Sequence, residues 1–206
     1  MARTLVELRA DAELSPYLGQ EECLVPYRGA GEIALVILGQ DPTVRSRSTR
    51  RRLTTVLDLD RDGGNLHRFV GRLAGALGTS MENVYATNLV KSFSVEPLAE
   101  YDDPELLRAF AGRWMGLLLR ELAEFPAAPV VTLGQPILAV LAKDGAPRRV
   151  KHFWSREPRA LAPHENVLGR WIYPFPHQPS IAGEFYGGNL DRYAAFVRAH
   201  ASRARP

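Results

Sequence analysis

Residues 33–42 read IALVILGQDP, an unbroken apolar run that stops abruptly at glycine, glutamine, aspartate and proline. Six apolar residues, 33–38, with glycine close on either side, predict a strand buried on both faces, the pattern found inside a parallel sheet. In open α/β sheets, ligands sit in the crevice beyond the carboxyl ends of the strands. Asp41, three residues past such a strand, stands where a reacting group belongs, with Gly39, Gln40 and Pro42 around it. The same letters also spell an ordinary turn, in which Gly39 and Pro42 bend the chain and Asp41 caps the next segment.

Outward from this strand, apolar runs and helical periodicities alternate. Upstream, Leu5, Leu8 and Ala12 are spaced for a short amphipathic helix, and residues 16–31 carry Pro, Gly and Tyr irregularly, as a loop does. Downstream, RSRSTRRR at 45–52 packs five arginines and three hydroxyl residues into eight positions. That run either grips phosphate oxygens at the mouth of a site, Arg45 and Arg47 first, or is a solvated loop. Leu66, Phe69, Val70, Leu73 and Leu77 predict a crossover helix with Asn65 as cap and Gly78 as stop. A second strand follows over 84–86, ending in polar TNLVKS. The longest helix is predicted over 104–125, with Asp103 as cap and Pro104 in its first turn. A third strand (129–133), a short helix (136–141), a basic surface excursion (145–163), a fourth strand (171–175) and a closing helix (189–201) complete the chain. Strand and helix alternating in this way signal an α/β fold with a mainly parallel sheet covered on both faces. A length of 206 residues suits one domain, 1–206.

Composition narrows the function classes. Hydrophobic content of 46% and charged content of 24% are those of a soluble globular protein. No apolar run approaches the roughly eighteen residues of a membrane span. The N-terminus has early acidic residues and no apolar signal core, which argues against export. One cysteine, Cys23, forms no internal disulfide and holds no zinc or iron–sulfur cluster by itself, so a reducing cytoplasm and no metal are expected. Basic residues are 23 Arg to 3 Lys at a net charge of only +3. Arginine pairs best with phosphate, which hints at nucleic acid, but a coding bias toward Arg and Ala produces the same ratio.

The four strand ends deliver GQDP (39–42), TNLVKS (87–92), LGQ (133–135) and PHQPS (176–180) to one edge of the sheet. In that order, over 33–180, these segments resemble the uracil-DNA glycosylase superfamily. The resemblance implies a three-layer α/β/α fold around a central, mainly parallel four-stranded sheet. It also implies a monomeric hydrolase, needing no cofactor, that acts on DNA by cleaving the N-glycosidic bond of uracil or a related deaminated base. Asp41 would position and activate water and offset the sugar cation, and His177 would hydrogen-bond the departing base. Asn88 would read the base edge, and Gly39, Gln40 and Pro42 would complete the pocket. Lys91 and Ser180 would hold flanking phosphates, and Ile181 would fill the stack vacated by the flipped base. The chemistry of the bond asks for the same parts: an anion on the sugar side and a donor on the base side. A base inside a duplex must also be extruded before it can react.

The chain departs from the family pattern at four places. Thr43 and Val44 stand where the well-studied enzymes carry Tyr and His, the Tyr that excludes thymine's methyl. Leu53, Thr54 and Thr55 occupy the region of the stacking Phe, so the ring is missing or comes from elsewhere, such as Phe93 or Tyr27. Gln178 is inserted between His177 and Pro179. A single cysteine excludes the cluster carried by the branch with a similar TNxxK segment. Two other functions remain compatible with the sequence: a non-catalytic DNA-binding protein of the same fold, and an α/β enzyme acting on free nucleotides.

Overall fold

A computed structural model of the chain describes residues 1–101, 103–144, 149–177 and 183–204. In chain order its elements are α1 (Ala2–Ala10), β1 (Tyr27–Arg28), β2 (Leu35–Gly39), α2 (Arg47–Arg50), α3 (Asn65–Ala76), β3 (Val84–Asn88) and α4 (Pro104–Ala123). They continue with β4 (Val130–Leu133), α5 (Pro136–Leu141), β5 (Ile172–Phe175), α6 (Gly183–Gly188) and α7 (Leu190–Arg203). The strands form one mixed sheet in the order β1-β3-β2-β4-β5. Strand β2 pairs in parallel with β3 and β4, β4 pairs in parallel with β5, and β1 runs antiparallel to β3.

The sheet therefore has five strands where the sequence predicted four. The addition, β1, is two residues long inside a segment read as loop; a Tyr-Arg pair carries no periodicity to detect. The central strand β2 is buried along its whole length, as an apolar run with neighbours on both sides must be. Pro174 is tolerated inside β5 because β5 is the sheet's last strand, where a missing N–H breaks no central ladder.

Side chains alternate across the strands, and their contacts assign the two faces. Thr87 donates to Glu121 of α4, so this face of β3 looks at α4, which also packs against α1 and α5. Tyr173 and Phe175 meet Phe196 and Tyr193 of α7, so the other face lies under α7, which touches α3 and α6. Helix α4 begins as the sequence predicts: the Asp103 side chain accepts the N–H groups of Glu105 and Leu106. Phe110, Trp114 and Leu118 of the same helix are fully buried. Helix α3 is capped by Gly64 instead of Asn65, which is its first helical residue. Residues 149–163 are not a surface excursion. Phe153 and Trp154 are buried in the core, and Leu161 bridges to Ile172. Buried apolar residues form one continuous core, with a small satellite of Leu24, Val56 and Phe93 beneath the loops. No helix of the described residues is long and apolar enough to cross a membrane.

Candidate active site

Because β2, β3, β4 and β5 run in parallel, their carboxyl ends share one edge of the sheet. Gly39 of β2 and Asn88 of β3 are register partners at that edge. A Cβ on Gly39 would lie 2.3 Å from Asn88 Oδ1, so only glycine lets the Asn88 amide sit against the end of β2. The pairing continues beyond the strands. Leu89 N–H donates to the Gly39 carbonyl and Val90 N–H to the Gln40 carbonyl, each at 2.8 Å. We expect Gly39→Ala to displace this amide and destabilise the fold by about 1–3 kcal/mol through overpacking. Chemical denaturation measures it, and an unchanged midpoint would contradict the contact.

Asp41 is 7% exposed. Its Oδ2 accepts the Leu98 N–H at 3.4 Å, and its Oδ1 is buried without a hydrogen-bond partner. Burial pushes the carboxyl up to about 6, offset only in part by the Leu98 N–H and by the nearby Gln40 amide, which makes no hydrogen bond to it. Pro42 beside it is buried as well. His177 lies two residues past the end of β5, which is separated from β2 by β4, so the carboxyl ends of those two strands are about 10 Å apart, two inter-strand steps. Its ring packs over Gly134, whose Cβ would be 3.5 Å from His177 Cδ2 and whose φ of +92° itself favours glycine. The backbone before it is pinned by the Tyr186 hydroxyl, which donates to the Pro176 carbonyl at 2.8 Å. Burial lowers the His177 pKa, so the imidazole is neutral at pH 7, and its buried Nδ1 has no partner.

Gln40 Nε2 and Asn88 Oδ1 are likewise buried and unpartnered. Eight buried side-chain polar atoms lack a hydrogen bond among the described residues, and four of them belong to Gln40, Asp41, Asn88 and His177. Unsatisfied groups are rare in folded proteins, and their concentration at one sheet edge marks a place where something else supplies the partners. Beside Gln40 lies an apolar cavity of about 200 Å³, walled by Leu98, Leu107, Pro136 and Val140.

No protein-family model matches the chain, and no curated protein matches it either. The site therefore stands on its own geometry.

Several expected roles change in the folded chain. Lys91 cannot hold a phosphate: its side chain is 0% exposed, and its Nζ donates to Glu121 Oε2 at 2.6 Å and to Thr87 Oγ1. A basic residue in a polar segment reads as surface, yet it points into the space between β3 and α4. Neither substitute for the stacking ring is available. Tyr27 sends its hydroxyl toward the Met81 carbonyl, at the opposite end of β3 from Asn88. Phe93 is 1% exposed, with the Arg50 guanidinium 5.3 Å from its ring centre.

Arg50 itself is buried, donating to the carbonyls of Val44, Ser94 and Val95, so it fastens the loop after β2 to the segment after β3. Arg45 is exposed and paired with Glu100, and Arg47 is exposed. Thr43 is exposed and Val44 half-buried. Ser180 and Ile181, with Gln178 and Pro179, lie outside the described residues. Glu121 went unnoticed in the sequence, although a carboxylate in the stripe of Trp114, Leu118 and Leu122 signals a buried partner. Among the described residues, no group of three His, Cys, Asp or Glu is placed to hold a metal.

Proposed function

We propose that the protein is a DNA glycosylase that hydrolyses the N-glycosidic bond of uracil or a related deaminated base, as in base excision repair. The carrying observation is the set of unpartnered buried atoms on Gln40, Asp41, Asn88 and His177, at the carboxyl ends of β2, β3 and β5 along one edge of the sheet. Leaving such atoms bare costs about 1–3 kcal/mol each, and a bound base and water would repay it. Helices on both faces of a largely parallel sheet support the three-layer uracil-DNA glycosylase architecture.

In this reading the Asp41 carboxylate orients a water and offsets the positive charge that develops on the sugar. Neutral His177 donates to the oxygen of the departing base, whose negative charge peaks as the bond breaks. Asn88 offers both acceptor and donors to the base edge. With Thr43 exposed and neither Phe93 nor Tyr27 placed to stack, tight exclusion of thymine is not expected, and the substrate range is broader than uracil alone. The protein acts as a monomer in the cytoplasm and needs no cofactor.

Incubation with oligonucleotides carrying single lesions, followed by alkali to cut abasic sites, tests the reading. Scission at uracil or another deaminated base is expected, and intact strands across the panel would refute it. The rate should rise with pH through about 6 as Asp41 ionises and then level off. A profile flat from pH 5 to 8 would remove Asp41 from the chemistry.

One observation favours a second reading, a DNA-binding protein without catalysis: the burial of Phe93 and the orientation of Tyr27 keep both of these rings from stacking on a base. Salt-dependent binding with no base released would select it.

A further inference from the structure

Beside the edge that holds Asp41 lies a separate groove of about 830 Å³. One wall is α2 with Arg51 after it, and the other is the segment from Pro16 to Val25. We propose that this groove binds an unpaired nucleic-acid strand, with phosphates on Arg47 and Arg51 and bases lying on Val25, Leu53 and Val95. The proposal takes the identity of the polymer from the DNA reading but none of its chemistry.

The two arginines are one helical turn apart, since Arg51 N–H donates to the Arg47 carbonyl at 3.2 Å. Their Cβ atoms therefore lie about 6 Å from each other on one face, a spacing that suits neighbouring phosphates along a strand. Both are exposed, and neither side chain makes an ion pair or hydrogen bond among the described residues, unlike Arg45 and Arg50. Val25 is 53% and Val95 44% exposed, and both present apolar surface to the groove. Base faces are apolar and are free only in an unpaired strand; a duplex hides them in its stack.

The walls are set before any ligand arrives. Arg50 holds the Ser94 and Val95 carbonyls at 2.7 and 3.0 Å, and Val25 N–H donates to the Thr54 carbonyl at 3.0 Å. Such pre-organisation lowers the ordering cost of binding. Two glutamates also line the groove. Glu21 is engaged by Arg50 at 3.5 Å, while Glu22 opposes the phosphates and Glu22→Gln should tighten binding.

The test is fluorescence anisotropy with a labelled, undamaged oligo-dT, alone and as a duplex with oligo-dA, over a salt series. Wild type should bind the single strand at least ten times more tightly than the duplex. Arg47→Ala/Arg51→Ala should weaken it at least tenfold and lower the slope of log K against log salt by about 1.4, two phosphates' worth for a single strand. Arg203→Ala, at the end of α7, should change neither. Both groove positions are exposed, and an unchanged unfolding midpoint verifies the fold of the double variant. Equal affinity and slope in wild type and double variant would overturn the proposal, as would tighter binding of duplex or full competition by thymidine monophosphate at equal concentration. The same comparison made in the Asp41→Asn background, where no base is released, keeps the outcome independent of excision. A chain that excises uracil with an unaltered Arg47/Arg51 slope loses the groove but keeps the glycosylase, and the reverse result separates them the other way.

Discussion

Asp41→Asn should abolish base release and at the same time stabilise the fold at neutral pH. Burial raises the Asp41 pKa from 3.8 to about 6, so the folded protein holds this proton more tightly than the unfolded chain. As pH climbs from about 4 to about 6, the unfolded state ionises first and gains relative to the native one. The charge thus costs native stability, by up to about 3 kcal/mol once pH exceeds the folded pKa. Asparagine retains an oxygen for the Leu98 N–H and carries no charge to desolvate. Urea denaturation at pH 4 and at pH 7.5 should show the two proteins equal at the lower value and the variant more stable at the higher. Activity should move the other way, falling by at least about 100-fold if the carboxylate orients water and balances the sugar cation. Greater stability with lost activity is the mark of a residue kept for function. A destabilised variant at pH 7.5 would show Asp41 to be a structural cap.

Lys91→Met should be among the most damaging single substitutions in the chain. The lysine is fully enclosed with Glu121, whose side chain is only 10% exposed, and both also bond to Thr87. Taking away one charge strands the other in the core, a loss of about 3–5 kcal/mol. Lys91→Met/Glu121→Leu removes both charges and should recover most of that stability. Thr87 precedes Asn88, and Lys91 closes the turn whose Leu89 and Val90 bond to the end of β2. A double variant that regains stability without regaining activity would tie the ion pair to the placement of Asn88. A loss below about 1 kcal/mol in the single variant would mean that the buried pair is not formed.

Elements with strong periodicity were legible from sequence. The apolar run at 33–42 gives β2, the leucine and aromatic stripe gives α4 with its Asp103 cap, and Pro136–Leu141 is helical as expected. What escaped were features set by tertiary contact. β1 exists because β3 offers a free edge, not because Tyr27 and Arg28 prefer extension. Helix α6 has three glycines among its six residues, a composition that argues against helix until Phe185 and Tyr186 find the core.

Charge was the least reliable guide. Within one arginine-rich run, Arg50 became a buried fastener, Arg45 an ion-pair partner of Glu100, and Arg47 an exposed side chain on a groove. Which of these fates an arginine meets depends on carbonyls and carboxylates from distant segments, such as Glu21 for Arg50 and Glu100 for Arg45, which no local pattern encodes. The candidate site was more legible, because strand ends in a parallel sheet converge by topology. Asp41, Asn88 and His177 were found at one edge for that reason.

The central claim is that Asp41, Asn88 and His177 act together on one N-glycosidic bond. Single-turnover release of free uracil from a uracil-containing oligonucleotide tests it most directly, comparing wild type with Asp41→Asn, His177→Gln and the variant carrying both. Release by wild type, loss in each single variant and little further loss in the double one would fit groups that work as a unit. Release unchanged by Asp41→Asn would contradict the account.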